Sequence, residues 1–244
     1  MVNFQTVEIA GFAPAIGGMR HPLKSYDRAD SHIDENGALV IGKEDYMLAK
    51  RLVQADGSEH AKFLRQIEVW VNITAPRSWW QEYATYKIGT VENSQSTMHR
   101  LLKDGISREE VYYNWDMNED IDRAMINQIN AVNSLIDYYN IEPNEKLFEN
   151  IKSLLPEGYL QTRMCSLNYE VLRNMYKQRK NHRLSGWSTD FVDWIHTLPM
   201  FEWITGEFLT EEELEATWQS VEEPAEENVE VSAEENEVDN EENI

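Results

Sequence analysis

The chain lacks the residues on which several kinds of protein depend. Its 244 residues include one cysteine, Cys165, so no intrachain disulfide can form and no thiolate pair can bind a metal. Cys165 itself is expected to be a small buried hydrophobe. No apolar run approaches the roughly 18 residues of a membrane span. The opening MVNFQTVEIAGF has neither the basic start nor the apolar stretch of a signal peptide, so a cytoplasmic protein is expected. The phosphate loop, the G-x-G-x-x-G turn, H-E-x-x-H and the nucleophile elbow are all missing, and no two of the six histidines stand at helical metal-ligand spacing. Basic residues are missing from residues 211–244, where 15 acidic ones stand. The formal net charge of -22 therefore belongs mostly to the C-terminal end, and the body carries an ordinary acidic balance that offers nucleic acid no partner.

What is present is enough for one large core or two modest ones, with 41% of residues hydrophobic and 11% aromatic. Residues 1–58 read as an extension packing on the core. They contain GFAPAIGG, the pair Arg20 and His21 (a solvated loop or an anion contact), a turn over 31–37 (SHIDENG), and a helical stretch KEDYMLAKRLVQAD that stops at Gly57. Ile67, Val69, Val71 and Ile73 alternate, which predicts a strand near 66–73 with one buried face. Thr74, Ala75 and Pro76 then start a helix expected over 76–87, with Trp79, Trp80, Tyr83 and Tyr86 on a broad aromatic face. Further helices are expected over 119–139 from a 3.6-residue apolar stripe, over 168–183 with a basic flank of Arg173, Lys177, Arg179 and Lys180, and over 190–198 before Pro199. Residues 59–210 make the core, and 211–244 are too charged and too poor in large apolar groups to order.

Two polar clusters interrupt the apolar segments. Asn93, Ser94, Gln95, Ser96 and Thr97 precede His99 and Arg100, a set of donors and acceptors suited to a phosphate or base edge, or to a helix N-cap. Asn168, Asn174 and Arg179 fall within one broad helical face, able to converge on a ligand or to satisfy nearby backbone.

At these clusters the chain resembles the flavin-dependent thymidylate synthases. Leu155 and Pro156, then Asn168, Asn174 and Arg179, match the family in type and spacing, with Lys152 where the family has a further Arg. Glu59, His60 and Phe63 are similar to an upstream Glu-His…Phe, and Ala75 with Pro76 fixes the register of the family's RHRxxSxNExSxRY signature. Thr85, Tyr86 and Lys87 occupy its Arg-His-Arg. With one inserted residue, Thr90, Asn93, Ser94, Ser96, Met98 and His99 follow, of which Asn93 and Ser96 fit.

The resemblance implies an α+β fold, a central antiparallel sheet with long helices, assembled as a homotetramer with active sites between subunits. It implies reductive methylation of dUMP with FAD as cofactor and NADPH and methylenetetrahydrofolate as co-substrates. Thr85, Tyr86, Lys87, Asn93, Asn168 and Asn174 then stand at FAD, and Lys152, Ser94, Gln95, Ser96, Arg100 and Arg179 at dUMP, where Arg179 stabilises charge on the uracil ring. Losing Arg-His-Arg removes charge-assisted contacts worth about 1.5–3 kcal/mol each. Compensation is open to Lys87, His99, Arg100, His182 and Arg183, and to stacking by Trp79, Trp80 or Tyr83. The alternative is a noncatalytic nucleotide-binding or assembly protein on the same fold.

Overall fold

The computed structural model describes residues 1–55, 59–97, 100–115, 117–210 and 212–214. The chain runs β1 (Asn3–Ala10), α1 (Phe12–Arg20), a small hairpin β2 (His32–Ile33) and β3 (Leu39–Val40), α2 (Lys43–Gln54), β4 (Glu68–Pro76), α3 (Arg77–Tyr83) and β5 (Thr90–Ser94). It continues with α4 (Arg100–Asp104), α5 (Glu119–Ile141), α6 (Glu145–Leu154), β6 (Leu160–Asn168), α7 (Tyr169–Arg179), a π-helical turn (Gly186–Phe191), α8 (Val192–His196) and α9 (Glu202–Thr205). Four strands form one antiparallel sheet in the order β1-β4-β6-β5. This is the expected α+β class.

The sheet is built on β4. Val69, Val71, Ile73 and Ala75 are at most 1% exposed and point to one face, where Cys165 and Leu167 of β6 join them. Burial pushes the Cys165 thiol up to about 11, which fits an inert core residue. Aromatic rings cover that face: Trp79 stacks on Trp187 at 4.2 Å, and Phe4 on Trp194 at 4.8 Å. A second apolar cluster gathers Leu101, Ile129, Val132, Ile136, Ile151 and Leu155 from α4, α5 and α6. Asparagine caps start the long helices. Asn118 accepts from the amides of Asp120 and Ile121, Asn144 from Leu147, and Asn168 from Val171.

The expected strand at 66–73 is β4, and the helix expected over 119–139 is α5. Several expectations need correction. The helix expected over 76–87 is only α3, because the backbone tightens into three-residue turns at Thr85 and Tyr86. The helix of 168–183 ends at Arg179, and that of 190–198 begins earlier as the π-helical turn and ends at His196. Arg20 belongs neither to a solvated loop nor to an anion site, since it is buried and its Nε donates to Asp45 at 2.7 Å. Residues 1–10, which carried no expected strand, supply the sheet's edge strand β1.

The described residues up to Phe208 form one compact unit, and residues 209, 210 and 212–214 belong to a second. In the second, Thr210 and Glu213 bond reciprocally as a capping box ahead of the helical residues 212–214. The expectation of a disordered tail falls, except for 212–214, outside the described residues.

Candidate functional site

A cleft of about 720 Å³ opens beside the start of α7, within the roughly 300–1,000 Å³ typical of small-molecule sites. Its floor is the β6–α7 junction. Asn168 sits opposite Glu68 in the β4–β6 ladder, accepts from Val171 N at 3.1 Å, and hydrogen-bonds the Glu68 carboxylate. Burial raises the pKa of Glu68 more than that bond lowers it. One wall is the end of α2, with Val53, Gln54 and Ala55, and another is the turn between α3 and β5. That turn needs glycine. Gly89 has φ +73°, and a Cβ there would lie 3.0 Å from Val171 and 3.2 Å from the Asn168 amide nitrogen.

Asn174, Arg173 and Lys177 line the cleft from α7, and Arg65 lines it beside Glu170. Arg65 is spent on Glu170 through two hydrogen bonds, one of 3.0 Å. Arg173 gives one N–H to Val53 O at 2.6 Å and keeps its other donors. Lys177 has no ion pair among the described residues; burial and then the Arg173 charge lower its pKa. Glu170, which Arg65 engages, also acts on Arg173, while Lys177 lies one turn further along α7; the two adjacent cations suit an anionic ligand. The cleft can therefore take a planar group bearing phosphate, with amide donors and acceptors at one end.

Arg179 does not line this cleft. It packs against the Trp187 ring, 5.2 Å from guanidinium carbon to centroid, and its side chain is 13% exposed. Its Nη1 meets Glu82 at 2.7 Å and its Nε donates to the Tyr86 hydroxyl at 2.9 Å. Burial lowers its pKa, but Tyr86 and Glu82 more than restore it, so the cation is retained. Of Asn168, Asn174 and Arg179, expected to share one face, the two asparagines line this cleft and Arg179 does not.

The remaining residues gather elsewhere. Asn93 and Ser94 lie on β5 opposite Met164 and Arg163 of β6, so they form a strand and no N-cap. Gln95 follows, its amide bonded to Thr162 O and its side chain accepting from Arg100 at 3.4 Å. Arg100 also pairs with Glu110 at 2.6 Å, and Ser96 O accepts from the Arg100 amide. Lys152 donates to Thr97 Oγ1, and burial and then the Arg77 charge lower its pKa. This group stands at the far end of β5 from Asn168, where Ser94 pairs with Arg163 five residues away, roughly 17 Å at about 3.4 Å per residue.

Thr85 donates to Glu82 O, and Thr85 and Lys87 are exposed beside the cleft-lining Ile88 and Gly89. Among the compensating residues, His99 lies outside the described ones, while His182 and Arg183 do not line the cleft. Trp79, Trp80 and Tyr83 are at most 2% exposed and pack on one another, so they offer a ligand no stacking surface. Glu59 and His60 are half-exposed partners 3.8 Å apart, and Phe63 is buried against Trp203. Among the described residues, no cluster could hold a metal, and no helix is long and apolar enough to cross a membrane.

Two solved structures share this architecture: thymidylate synthase X from Helicobacter pylori with FAD and dUMP, and a flavin-dependent thymidylate synthase from the same organism complexed with FAD and dUMP. Each superimposes at a TM-score of 0.65 and 18% identity, covering 85% and 84% of this chain and 98% of the other. The fold is that of the flavin-dependent thymidylate synthases. Neither a protein-family model nor a curated protein matches the chain. On this thymidylate synthase fold, sequence reasoning placed Arg173 and Lys177 on a basic flank without assigning them a ligand. Their four-residue spacing beside Asn174 was the available signal. Arg65 was not singled out, and nothing near it in sequence marks it.

Proposed function

We propose that the protein is a flavin-dependent thymidylate synthase that converts dUMP to dTMP, with FAD as cofactor and NADPH and methylenetetrahydrofolate as co-substrates. The observation that carries this is the meeting of Asn168, Asn174, Arg173 and Lys177 on one cleft of a thymidylate synthase fold. These residues fit FAD. Lys177 and Arg173 would hold its pyrophosphate, where the family uses Arg-His-Arg, and the amides of Asn168 and Asn174 would hold its ring system. Bound FAD supplies hydride drawn from NADPH, and methylenetetrahydrofolate supplies the carbon.

The chain's own part is to bind, orient and neutralise. Ser94, Gln95, Ser96, Arg100 and Lys152 hold dUMP, and the Arg179 cation stabilises negative charge on its uracil ring. Because the dUMP group and the cleft lie at opposite ends of β5, one chain's dUMP group meets another's cleft in a homotetramer. No protein nucleophile is required, in keeping with the inert Cys165.

The ion pair between Arg179 and Glu82 favours a second reading, a noncatalytic nucleotide-binding protein, because that carboxylate already occupies the guanidinium. The test is the visible spectrum of protein mixed with FAD and freed of excess, with and without dUMP, followed by product analysis with both co-substrates. The expected result is retained flavin, perturbed by dUMP, and dTMP formed. Retention without dTMP establishes the second reading, and no retention overturns the proposal.

A further inference from the structure

The polar contacts around Arg179 form a directed chain. Arg179 Nε donates to the Tyr86 hydroxyl at 2.9 Å, Tyr86 donates to Gln178 Oε1 at 2.9 Å, and Gln178 Nε2 donates to Asn174 Oδ1 at 2.9 Å. Tyr86 and Gln178 each accept one bond and donate the next in the same direction, so each bond polarises the next. The chain begins at a cation outside the cleft and ends at an amide that lines it. Its hub is fixed: Tyr86 is 9% exposed and its ring leans on Trp187.

We infer that Tyr86 is a positioning residue that couples occupancy of the cleft to the readiness of Arg179 for the nucleotide. This rests on the functional reading above. At one end, Asn174 gives its oxygen to Gln178, which leaves its NH2 to donate to a ligand in the cleft. That donation makes Asn174 Oδ1 a better acceptor, and the gain passes through Gln178 to the Tyr86 oxygen.

At the other end, Tyr86 then grips Nε more firmly and fixes the plane of the guanidinium. With Nε held, the edge formed by Nη1 and Nη2 is the one offered for two-donor recognition, as of a uracil carbonyl and ring nitrogen. Glu82, itself 39% exposed, is the partner that gives way. Tyr86 stands where the related signature has histidine. Its hydroxyl gives its one proton to Gln178 and accepts from Arg179, so it acts through Arg179 and Asn174.

The experiment measures dUMP affinity by calorimetry at zero and saturating FAD, in wild type, Tyr86→Phe and Gln178→Ala. Gln178 is exposed on α7, so its variant breaks the same chain without disturbing the core and serves if Tyr86→Phe folds poorly. In wild type, FAD is expected to tighten dUMP about fivefold or more. In either variant that factor should fall toward one, while FAD alone still binds. A purely structural tyrosine would lower the melting temperature and leave the coupling factor intact. Coupling absent in a wild type that binds both ligands, or undiminished in the variants, overturns the inference alone. A wild type that binds neither ligand overturns the functional reading and the inference together.

Discussion

Asn168 serves the fold and, under the proposed function, the ligand, and substitutions can separate the two. Its Oδ1 caps α7 through Val171 N at 3.1 Å, while its amide also bonds Glu68 and faces the cleft. Asn168→Ala removes the cap, worth about 1 kcal/mol within a range of roughly 0.5–2. In a chain of this size that lowers the melting temperature by about 2–4 °C per kcal/mol. Asn168→Ser keeps a capping oxygen and should recover most of that stability, yet it cannot supply the amide, so flavin retention should stay low in both variants. Asn168→Asp also caps, but it sets a carboxylate against Glu68 and should be destabilised at neutral pH and relieved by acid. Thermal melting paired with flavin retention reads both roles. An alanine variant as stable as wild type refutes the capping argument. Full flavin retention by the serine variant refutes the ligand contact.

Three further outcomes are expected. Lys177→Glu should weaken FAD about tenfold or more, from the loss of a charge-assisted contact, and should leave riboflavin, which lacks phosphate, nearly unaffected; an equal loss for both, by fluorescence titration, would place the pyrophosphate elsewhere. Glu82→Gln should tighten dUMP several-fold by freeing Arg179 Nη1, and a weaker complex would mean that Glu82 orients the guanidinium for binding. The third concerns Glu207, whose pKa is lowered by Tyr176 and then His196, and His196, whose pKa is raised because Val192 O and Glu207 outweigh its burial. A depressed carboxylate stabilises above its unfolded value of 4.5, and a raised imidazole below its unfolded value of 6.5, so this cluster contributes most between those limits and less on either side. The melting-temperature advantage of wild type over His196→Gln should shrink as pH rises above that window, and a constant difference would sink the assignment.

How far the sequence disclosed the fold depended on whether one face of an element is buried without interruption. β4 was legible because Val69, Val71, Ile73 and Ala75 alternate without a break, and α5 because Ile129, Val132 and Ile136 keep one stripe. β1 was not. A bulge between Thr6 and Glu8 shifts its period, so Phe4 and Ile9 fall out of alternation although both pair with β4. β5 lies almost wholly exposed and is held by its ladder to β6, so no side-chain pattern announces it. Asn168 as the head of a helix was legible from spacing. The cleft around it was not, since its walls come from residues 53–55, 65 and 88–89, and no local pattern reports where distant segments meet.

A motif records where charge sits in sequence, while a ligand responds to where it sits in space. Thr85 and Tyr86, which the resemblance sets at two of the motif's charged positions, lie in the turn after α3. Across the cleft, α7 carries Arg173 and Lys177 one turn apart, on a helix fixed by its cap and by buried Leu172 and Met175. Cations on such a helix need less ordering on binding than cations on an exposed turn. Tyr86, in that turn, ties Arg179 to Gln178. Under the proposed function these features form one arrangement: charge carried on the helix, and a hydroxyl hub in the turn. Under the proposed function, Thr85→Arg alone should therefore add little FAD affinity while Lys177 is intact and much more in the Lys177→Glu background, which parallel titrations of the single and double variants would read.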